Sequence, residues 1–585
     1  MKTWNLNDLY ESFDSEAFQQ DLATIEVEIK AMNEFAKAAF DSPDEAKEKL
    51  LTYIKQQESL QTYFRKAFAF CSLSISVDAS NTEARKYMNT LQEHSSNTTY
   101  ASTRFTKWLP TVKDLDTIIE TTDELKDAKY YLERILTQAK HVLSDKEEAI
   151  IAKMRNTGSS AWSQLQGELT STLKVPYDGK EITLSEVRNL SSDKDQTVRK
   201  NAYLAEQKAY PKIERSVAYA MNGVKGEVNT LSKLRGYNSP LAQAVEQSRM
   251  KQETLDALIA AMKEYLPVFQ TYLKRKGALL GHDDKIPYYD LFAPLGKSSR
   301  TFTEEEAMTY IFKNFKTFSD DLEGLARRAW NEEWIDFTPR DGKRGGAFCS
   351  NLHPIKQSRI LTNFTGSFSN VITLAHELGH AYHGDQIFKE RPINSSYTMP
   401  VAETASTFCE TIVKNAALED AEKEEKIFIL EQSIMGSTQV IVDIYSRFLF
   451  ESKVFETRQE TPLNSDMLKT MMLDAQKAAY GDALDEDFMH PYAWLNKPHY
   501  YIGGLSFYNF PYAFGLLFAK GIYAAYKEQG DAFVDKINML LQKTGQKSVE
   551  DVARLVGLDV TDKDFWKTSL DVIKDEIDLF LELTK

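Results

Sequence analysis

The chain has 585 residues, 42% of them apolar and 27% charged, which excludes a disordered polypeptide and gives ample material for a large core. Lysine and arginine number 71 against 86 aspartates and glutamates, a net charge of −15. No nucleic-acid partner is expected from that balance, because phosphate binding rests on clustered positive charge.

A chain of this length allows about three or four domains, or a single large helical enzyme with an N-terminal extension. The opening, MKTWNLNDLYESFDSE, lacks the apolar core of a signal peptide, so a cytoplasmic location is expected. No stretch approaches the roughly 20 unbroken apolar residues of a membrane span, and no membrane partner is expected. The nearest, residues 510–526, contains Pro511, Gly515 and Lys520. Cys71, Cys349 and Cys409 are too few and too scattered to pair throughout, and are read as buried thiols rather than metal ligands.

From Trp4 to about Val112, apolar residues recur every three or four positions, as in residues 22–40 and 50–70, and predict helical packing. Residues 114–153 read as two more helical stretches forming an antiparallel pair. Short apolar runs at 172–175 and 181–184 flank Pro176-Tyr177-Asp178-Gly179, which predicts a hairpin. Ser191-Ser192-Asp193 reads as the cap of a helical run to about Leu234. The expected organisation is an N-terminal helical region, 1–190, and a catalytic region, 191–585. Residues 252–279 and 302–330 read as amphipathic helices separated by a non-helical segment, 288–294. Before the next motif, Gly345-Gly346-Ala347-Phe348 and residues 358–364 read as two short strands. An edge strand there could pair with an extended peptide, making Gly345 and Gly346 candidate substrate contacts; a structural hairpin is the equally weighted alternative. The charge run at 419–426 reads as a solvated helix face.

Residues 371–383 read VITLAHELGHAYH. On a helix, His376 and His380 are about 40° apart around the axis, so both imidazoles face one cation, and Glu377 lies beside them to handle the proton of a water. Apolar or small residues at 371–375, a cap from Ser369 or Asn370, and a stop at Arg391-Pro392 frame this helix. A catalytic zinc site usually takes three protein ligands. The pattern HExxHxxGxxH would need histidine at 386, where the chain has Gln386. A carboxylate from the next helix is the other solution: Pro400 suits a first turn, and Glu403 and Glu410 lie two turns apart among apolar neighbours. Glu403 is read as the third ligand, with Glu410 as a supporting group or its replacement, and one Zn2+ per chain is expected. His383 stays open between a contact to substrate or a ligating carboxylate and a packed histidine.

With these parts, Glu377 reads as the general base for a water attacking a peptide carbonyl. The resulting oxyanion needs hydrogen-bond donors. Residues 497–512, KPHYYIGGLSFYNFPY, supply His499, Tyr501, Tyr508 and Tyr512 around a Gly-Gly pair. Composition alone also allows an aromatic core segment.

HELGHAYH, then AETASTFCE with Glu403 23 positions after His380, then PHYYIGGLSFYNFPYAFG, resemble in their order the oligoendopeptidase F branch of the thimet oligopeptidase family of zinc metallopeptidases. WNLNDLY, YYDLFAPLG, GKRGGAFC and SRILTNFTGS extend the resemblance along most of the chain. It implies a mainly α, zincin-type fold with a small β-sheet beside the HExxH helix and a deep substrate channel between the N-terminal helical region and the catalytic part. It implies a zinc-dependent oligoendopeptidase cutting internal bonds of short unfolded peptides, which the channel selects by size. By motif position it implies His376, His380 and Glu403 as ligands, Glu377 as base, His499 as the carbonyl-binding histidine and Tyr512 as the oxyanion-stabilising tyrosine. Tyr501 and Tyr508 are further candidates for substrate contact. Phe510 stands where relatives often carry another tyrosine, so that hydroxyl is missing here. A monomer or weak homo-oligomer is expected. The alternatives are a dipeptidyl carboxypeptidase on the same scaffold and a non-catalytic peptide-binding protein, the latter opposed by the presence of Glu377, His499 and Tyr512.

Overall fold

A computed structural model describes residues 3–296 and 300–585. Helices dominate, as expected, with five short strands among the described residues. The chain condenses into two compact units, each built from three stretches: Met1–Val142, Ser299–Ala416 and Ala525–Gly557 in the first, Leu143–Ser298, Ala417–Ala524 and Leu558–Lys585 in the second. Residue 190 lies within the first stretch of the second unit.

In the first unit, helices Glu16–Ala39, Ala46–Val77, Thr82–Asn97 and Thr99–Trp108 bury a core that includes Phe18, Leu50, Tyr53 and Phe105. Tyr53 stacks on Phe105 with ring centroids 3.9 Å apart. The same core takes in Leu352 and Leu361 of a three-stranded sheet. That sheet has the order β3 (Ile335–Asp336), β5 (Gln357–Leu361), β4 (Phe348–Leu352), parallel between β3 and β5 and antiparallel between β5 and β4. The opening WNLNDLY segment is stitched onto this sheet. Asn5 N donates to Glu333 O at 2.8 Å, and fully buried Arg359 donates to Asn5 O and to Asp8 at 2.7 and 2.9 Å. A buried guanidinium must be paired, and these contacts pair it.

Local structure departs from expectation in several places. Strand β4 begins at Phe348, so Gly345 and Gly346 lie in the preceding loop. Residues 302–330 form two helices, Glu304–Lys316 and Asp320–Asn331, because Ser319 caps a new helix through Leu322 N. Residues 114–153 break into four helical pieces rather than two. A short helix, Leu184–Asn189, capped by Thr183, follows the hairpin; the run expected from Ser191-Ser192-Asp193 is instead capped by Asp195, begins at Gln196 and ends at Ala209 before another helix begins at Glu214. The charge run at 419–426 spans a helix junction rather than one face.

In the second unit the hairpin forms as predicted, β1 (Lys174–Tyr177) against β2 (Lys180–Thr183). Asp178 and Gly179 both take positive φ, 50° and 73°, the backbone that a two-residue type I′ turn demands. A continuous helix from Lys423 to Glu460 is long and apolar enough, by length and composition, to cross a membrane, although it is interrupted by polar and charged residues and is no unbroken apolar run. Its acidic residues are used inside the unit. Glu431 pairs with Lys276 and Glu451 with Lys225, each at 2.7 Å and all but fully buried.

Glu431→Ala would leave the Lys276 ammonium uncompensated in the core. It is expected to lower stability by about 3–5 kcal/mol in urea unfolding followed by circular dichroism. An unshifted urea midpoint would show that the pair does not hold the unit together.

Candidate active site

The metal helix runs Phe368–Ile387. Its cap is Ser367, whose hydroxyl accepts from Asn370 N, while Asn370 Oδ1 accepts from Ser367 N and Thr365 N at 3.4 and 2.9 Å. The expected caps, Ser369 and Asn370, are thus inside the helix, although Asn370 completes the capping box. Val371, Leu374, Ala375 and Leu378 are buried, and the helix packs on β4 and β5. Asn351 of β4 donates to His380 O at 3.1 Å and accepts from Ser358 at 2.7 Å, which ties the sheet edge to the turn carrying the second histidine.

Glu403 does not sit within a helix. It occupies a break between a single turn, Met399–Ala402, and the helix Thr404–Asp420. Ser406 Oγ holds it by donating to Glu403 Oε2 at 2.8 Å and to its carbonyl at 3.0 Å. The segment reaches the metal helix because position 379 is glycine. A Cβ there would lie 2.6 Å from both Ala405 O and Ser406 Cα, backbone atoms that cannot move aside alone.

The result is a triangle of ligand atoms. His376 Nε2 and His380 Nε2 are 3.1 Å apart, and each lies 3.3–3.4 Å from Glu403 Oε2. Zinc bonds of about 2.0–2.2 Å in tetrahedral geometry separate ligand atoms by roughly 3.3–3.5 Å, so these residues fit a zinc ion. Among the described residues this is the one such group of three possible ligands. Glu410 is excluded as their replacement by its position. Its Oε1 is 2.5 Å from His376 Nδ1, on the ring edge away from the triangle. A proton held on Nδ1 by that carboxylate leaves the Nε2 lone pair for a metal. Burial pulls the His376 imidazole down, but Glu410 outweighs it and, with Glu403 and Glu377, raises the group to about 9. Burial pulls His380 down to about 4.

Glu377 is buried, and its Oε2 has no hydrogen-bond partner among the described residues. Burial, with Glu403 and Glu410 adding to it and His376 opposing, raises its carboxyl to about 7. His383 is the packed alternative. It is fully buried, stacks on Tyr397 at 4.1 Å and meets Thr544 Oγ1 at 2.8 Å, and burial pulls it down to about 3. Gly345 and Gly346 are exposed, with Asn363 donating to Gly346 O at 2.8 Å. Cys71 and Cys409 are buried as expected, whereas Cys349 is half-buried.

The second unit holds the other candidates. His499, in the turn Pro498–Tyr501, lies 5.0 Å from the Tyr508 ring, and Tyr508 lies 5.6 Å from Tyr512. These three are half-buried and adjoin one another. Burial, Arg447 and Lys497 push His499 below its ordinary value, so the imidazole is a neutral donor at pH 7. Tyr501 differs. It is fully buried and donates to Trp494 O at 3.2 Å, which makes it a core residue and removes it from the substrate contacts.

Local strain presents Tyr508. Phe507 takes φ 54°, rare for a bulky residue, and is held there by packing on Phe448 and Phe455 at 5.7 and 5.4 Å. Asn509 then accepts from Phe510 N at 2.7 Å and donates to Glu451 at 3.2 Å, anchoring the start of Tyr512's helix on the buried Lys225–Glu451 pair. Gly503 is needed for close approach, since a Cβ would lie 2.4 Å from Ser159 Oγ. Sequence reasoning missed Gly379 and Asn509, whereas Glu410 takes the supporting place that was one of its two readings. A glycine inside an otherwise good helix was the available signal for the first.

The sequence model of peptidase family M3 matches residues 189–572, and that of oligopeptidase F matches residues 112–174. The chain belongs to peptidase family M3. Oligopeptidase PepF of Bacillus subtilis is 25% identical to this M3 chain over 99% of its length and 87% of the relative's. An oligoendopeptidase F homolog of Borreliella burgdorferi is also 25% identical, covering 98% and 96% of the two chains. A crystal structure of oligoendopeptidase-F from Enterococcus faecium superposes with a TM-score of 0.71 at 19% identity, covering 97% and 99%. A crystal structure from Chlamydophila abortus gives 0.86 at 21%, covering 99% and 98%. Together they place this M3 peptidase in a mainly α fold.

Glu410→Gln weakens the acceptor behind His376 and is expected to lower zinc affinity about 10–100-fold in a competitive chelator titration. Gly379→Ala forces the Glu403 segment off the helix and is expected to lower it at least as much. Unchanged affinity in Gly379→Ala would show that the close approach is not needed for the site.

Proposed function

We propose that this peptidase is a zinc-dependent oligoendopeptidase, hydrolysing internal bonds of short, unfolded peptides. The observation that carries the reading is the triangle of His376, His380 and Glu403 at zinc-ligand separations, beside a buried carboxylate with a free oxygen. The activity named for the oligopeptidase F relatives supports the substrate class.

A zinc ion held there supplies Lewis acidity to the attacking water and the scissile carbonyl. Glu377 takes the water proton at its unpartnered Oε2 and delivers it to the leaving amine. Its low-dielectric setting raises its basicity, and a bound cation would draw its pKa back down, keeping it ionised near neutrality. Ser406 fixes the Glu403 carboxylate and Glu410 fixes His376, so little reorganisation is needed during turnover. His499 and Tyr512 are assigned, by motif position, as neutral donors to the carbonyl oxygen as negative charge develops. Tyr508 adjoins both and is assigned to substrate contact, with Gly345 and Gly346 offering exposed backbone for an extended chain.

Removing zinc with chelator should abolish cleavage of a mixed peptide-length series read by mass spectrometry, and adding zinc should restore it. C-terminally amidated peptides should still be cut internally; release of C-terminal dipeptides alone would indicate a carboxypeptidase instead. Glu377→Ala should keep near-stoichiometric zinc yet lose nearly all turnover, and substantial residual turnover would remove it as the base. Tyr512→Phe should lower kcat about 10²-fold with zinc content unchanged. An unaltered kcat would end that assignment.

A further inference from the structure

The second unit contains a cavity of about 140 Å3 whose walls include Arg188, Glu206, Tyr288, Asp443, Arg447 and Lys497. Its cations can be matched to carboxylates one at a time. Arg199, also in the wall, is buried against Asp290 at 2.6 Å. Arg447 pairs with Asp443 one turn earlier on the same helix. Arg188 lies 3.5 Å from Glu206, which also accepts from Tyr210 at 2.5 Å and faces His490 Nε2 at 3.5 Å.

The ammonium of Lys497, also in the wall, is left over: its carbonyl accepts from Tyr500 N at 3.2 Å, but its Nζ makes no hydrogen bond or ion pair among the described residues. Burial and the charge of Arg447 pull its ammonium down to about 8, which still leaves it largely protonated at pH 7. The residue is half-buried, and the carboxylates that bear on it, Asp443 and Glu206, are each already engaged by an arginine, so an anion entering the cavity would find its charge available. One further buried nitrogen in the same wall, His490 Nδ1, has no hydrogen-bond partner among the described residues; Asn496 Oδ1 has none either, but as a carbonyl oxygen it accepts and does not hold an anion. The helix Lys423–Glu460 passes through a π turn at Gln439–Asp443, which places Gln439, Asp443 and Arg447 together on the wall. Such turns recur at functional sites.

We propose that this cavity is a binding pocket for a single monoanion of carboxylate size, held by Lys497 with Arg447 beside it. The volume holds a carboxylate group, or a halide with a few waters, and is too small for a peptide segment. The anion has two chemical sources: a free monoanion, or a carboxylate on a peptide, whether C-terminal or on an acidic side chain. The peptide source rests on the peptidase reading, whereas the free-anion source does not. Lys497 is two residues before His499, so occupancy of the pocket would fix the turn that carries that histidine.

Two measurements on the zinc-loaded protein decide the matter. Crystals soaked in bromide should show an anomalous peak in the cavity within about 3.5 Å of Lys497 Nζ, which supports the pocket with a free anion. Matched peptides with a free or an amidated C-terminus, and with internal Glu or Gln, should differ in kcat/KM by about tenfold or more in the wild type. Loss of that preference in Lys497→Gln and its retention in Lys497→Arg supports a peptide carboxylate. No bromide peak, together with no preference in the wild type or one unchanged in Lys497→Gln, overturns the pocket. Both wild-type arms stand if Lys497→Gln fails to fold. Should the wild type cut no peptide, the peptidase reading fails while the bromide map still decides the pocket.

Discussion

The site depends on one close contact, the Glu403 segment lying against the metal helix at Gly379. Backbone atoms of Ala405 and Ser406 occupy the space a side chain would need there. Any larger residue would push the carboxylate away from two histidines whose nitrogens are only 3.1 Å apart. The other features of the first unit serve that contact. The Ser367 and Asn370 caps fix where the helix begins, Asn351 fixes the turn that carries His380 to the sheet, and Ser406 and Glu410 orient Glu403 and His376 respectively. The opening segment of the chain and Arg359 hold the sheet in turn.

The second unit is organised by a different constraint, the need to neutralise charge away from water. Lys225–Glu451, Lys276–Glu431 and Arg199–Asp290 are buried pairs that cross between helices. One of them reaches the His499–Tyr512 segment through Asn509. A buried pair is a weak source of net stability but a strong determinant of register, because a shifted helix would strand both charges. Among the described cations of the cavity wall, Lys497 is the one whose side chain has no such pairing.

Much of the chemistry was legible because it follows from local spacing. Two histidines four apart, a glutamate beside them and a carboxylate on the following segment are conditions a helix imposes on any metal site of this kind. The Asp178-Gly179 hairpin was legible for the same local reason. Legibility failed where the answer lies in tertiary contact. His383 shares the stripe of the ligating histidines, yet burial against Tyr397 and Thr544 sets its role. Tyr501 and Tyr508 are the same residue type seven positions apart in an irregular segment, and only one is in the core. Lys225 and Glu451 are separated by 226 residues, beyond any pattern in the sequence. Glu403 was read as the third ligand, but its place at a helix break, rather than inside a helix, was not foreseen.

The central claim is that His376, His380 and Glu403 together hold the metal at which peptide bonds are cut. Anomalous diffraction at the zinc edge on crystals of the zinc-loaded protein tests it most directly. The account predicts one strong peak about 2.0–2.2 Å from His376 Nε2, His380 Nε2 and a Glu403 carboxylate oxygen. Zinc bound through Glu410 or His383, or at a site that leaves out Glu403, would contradict it.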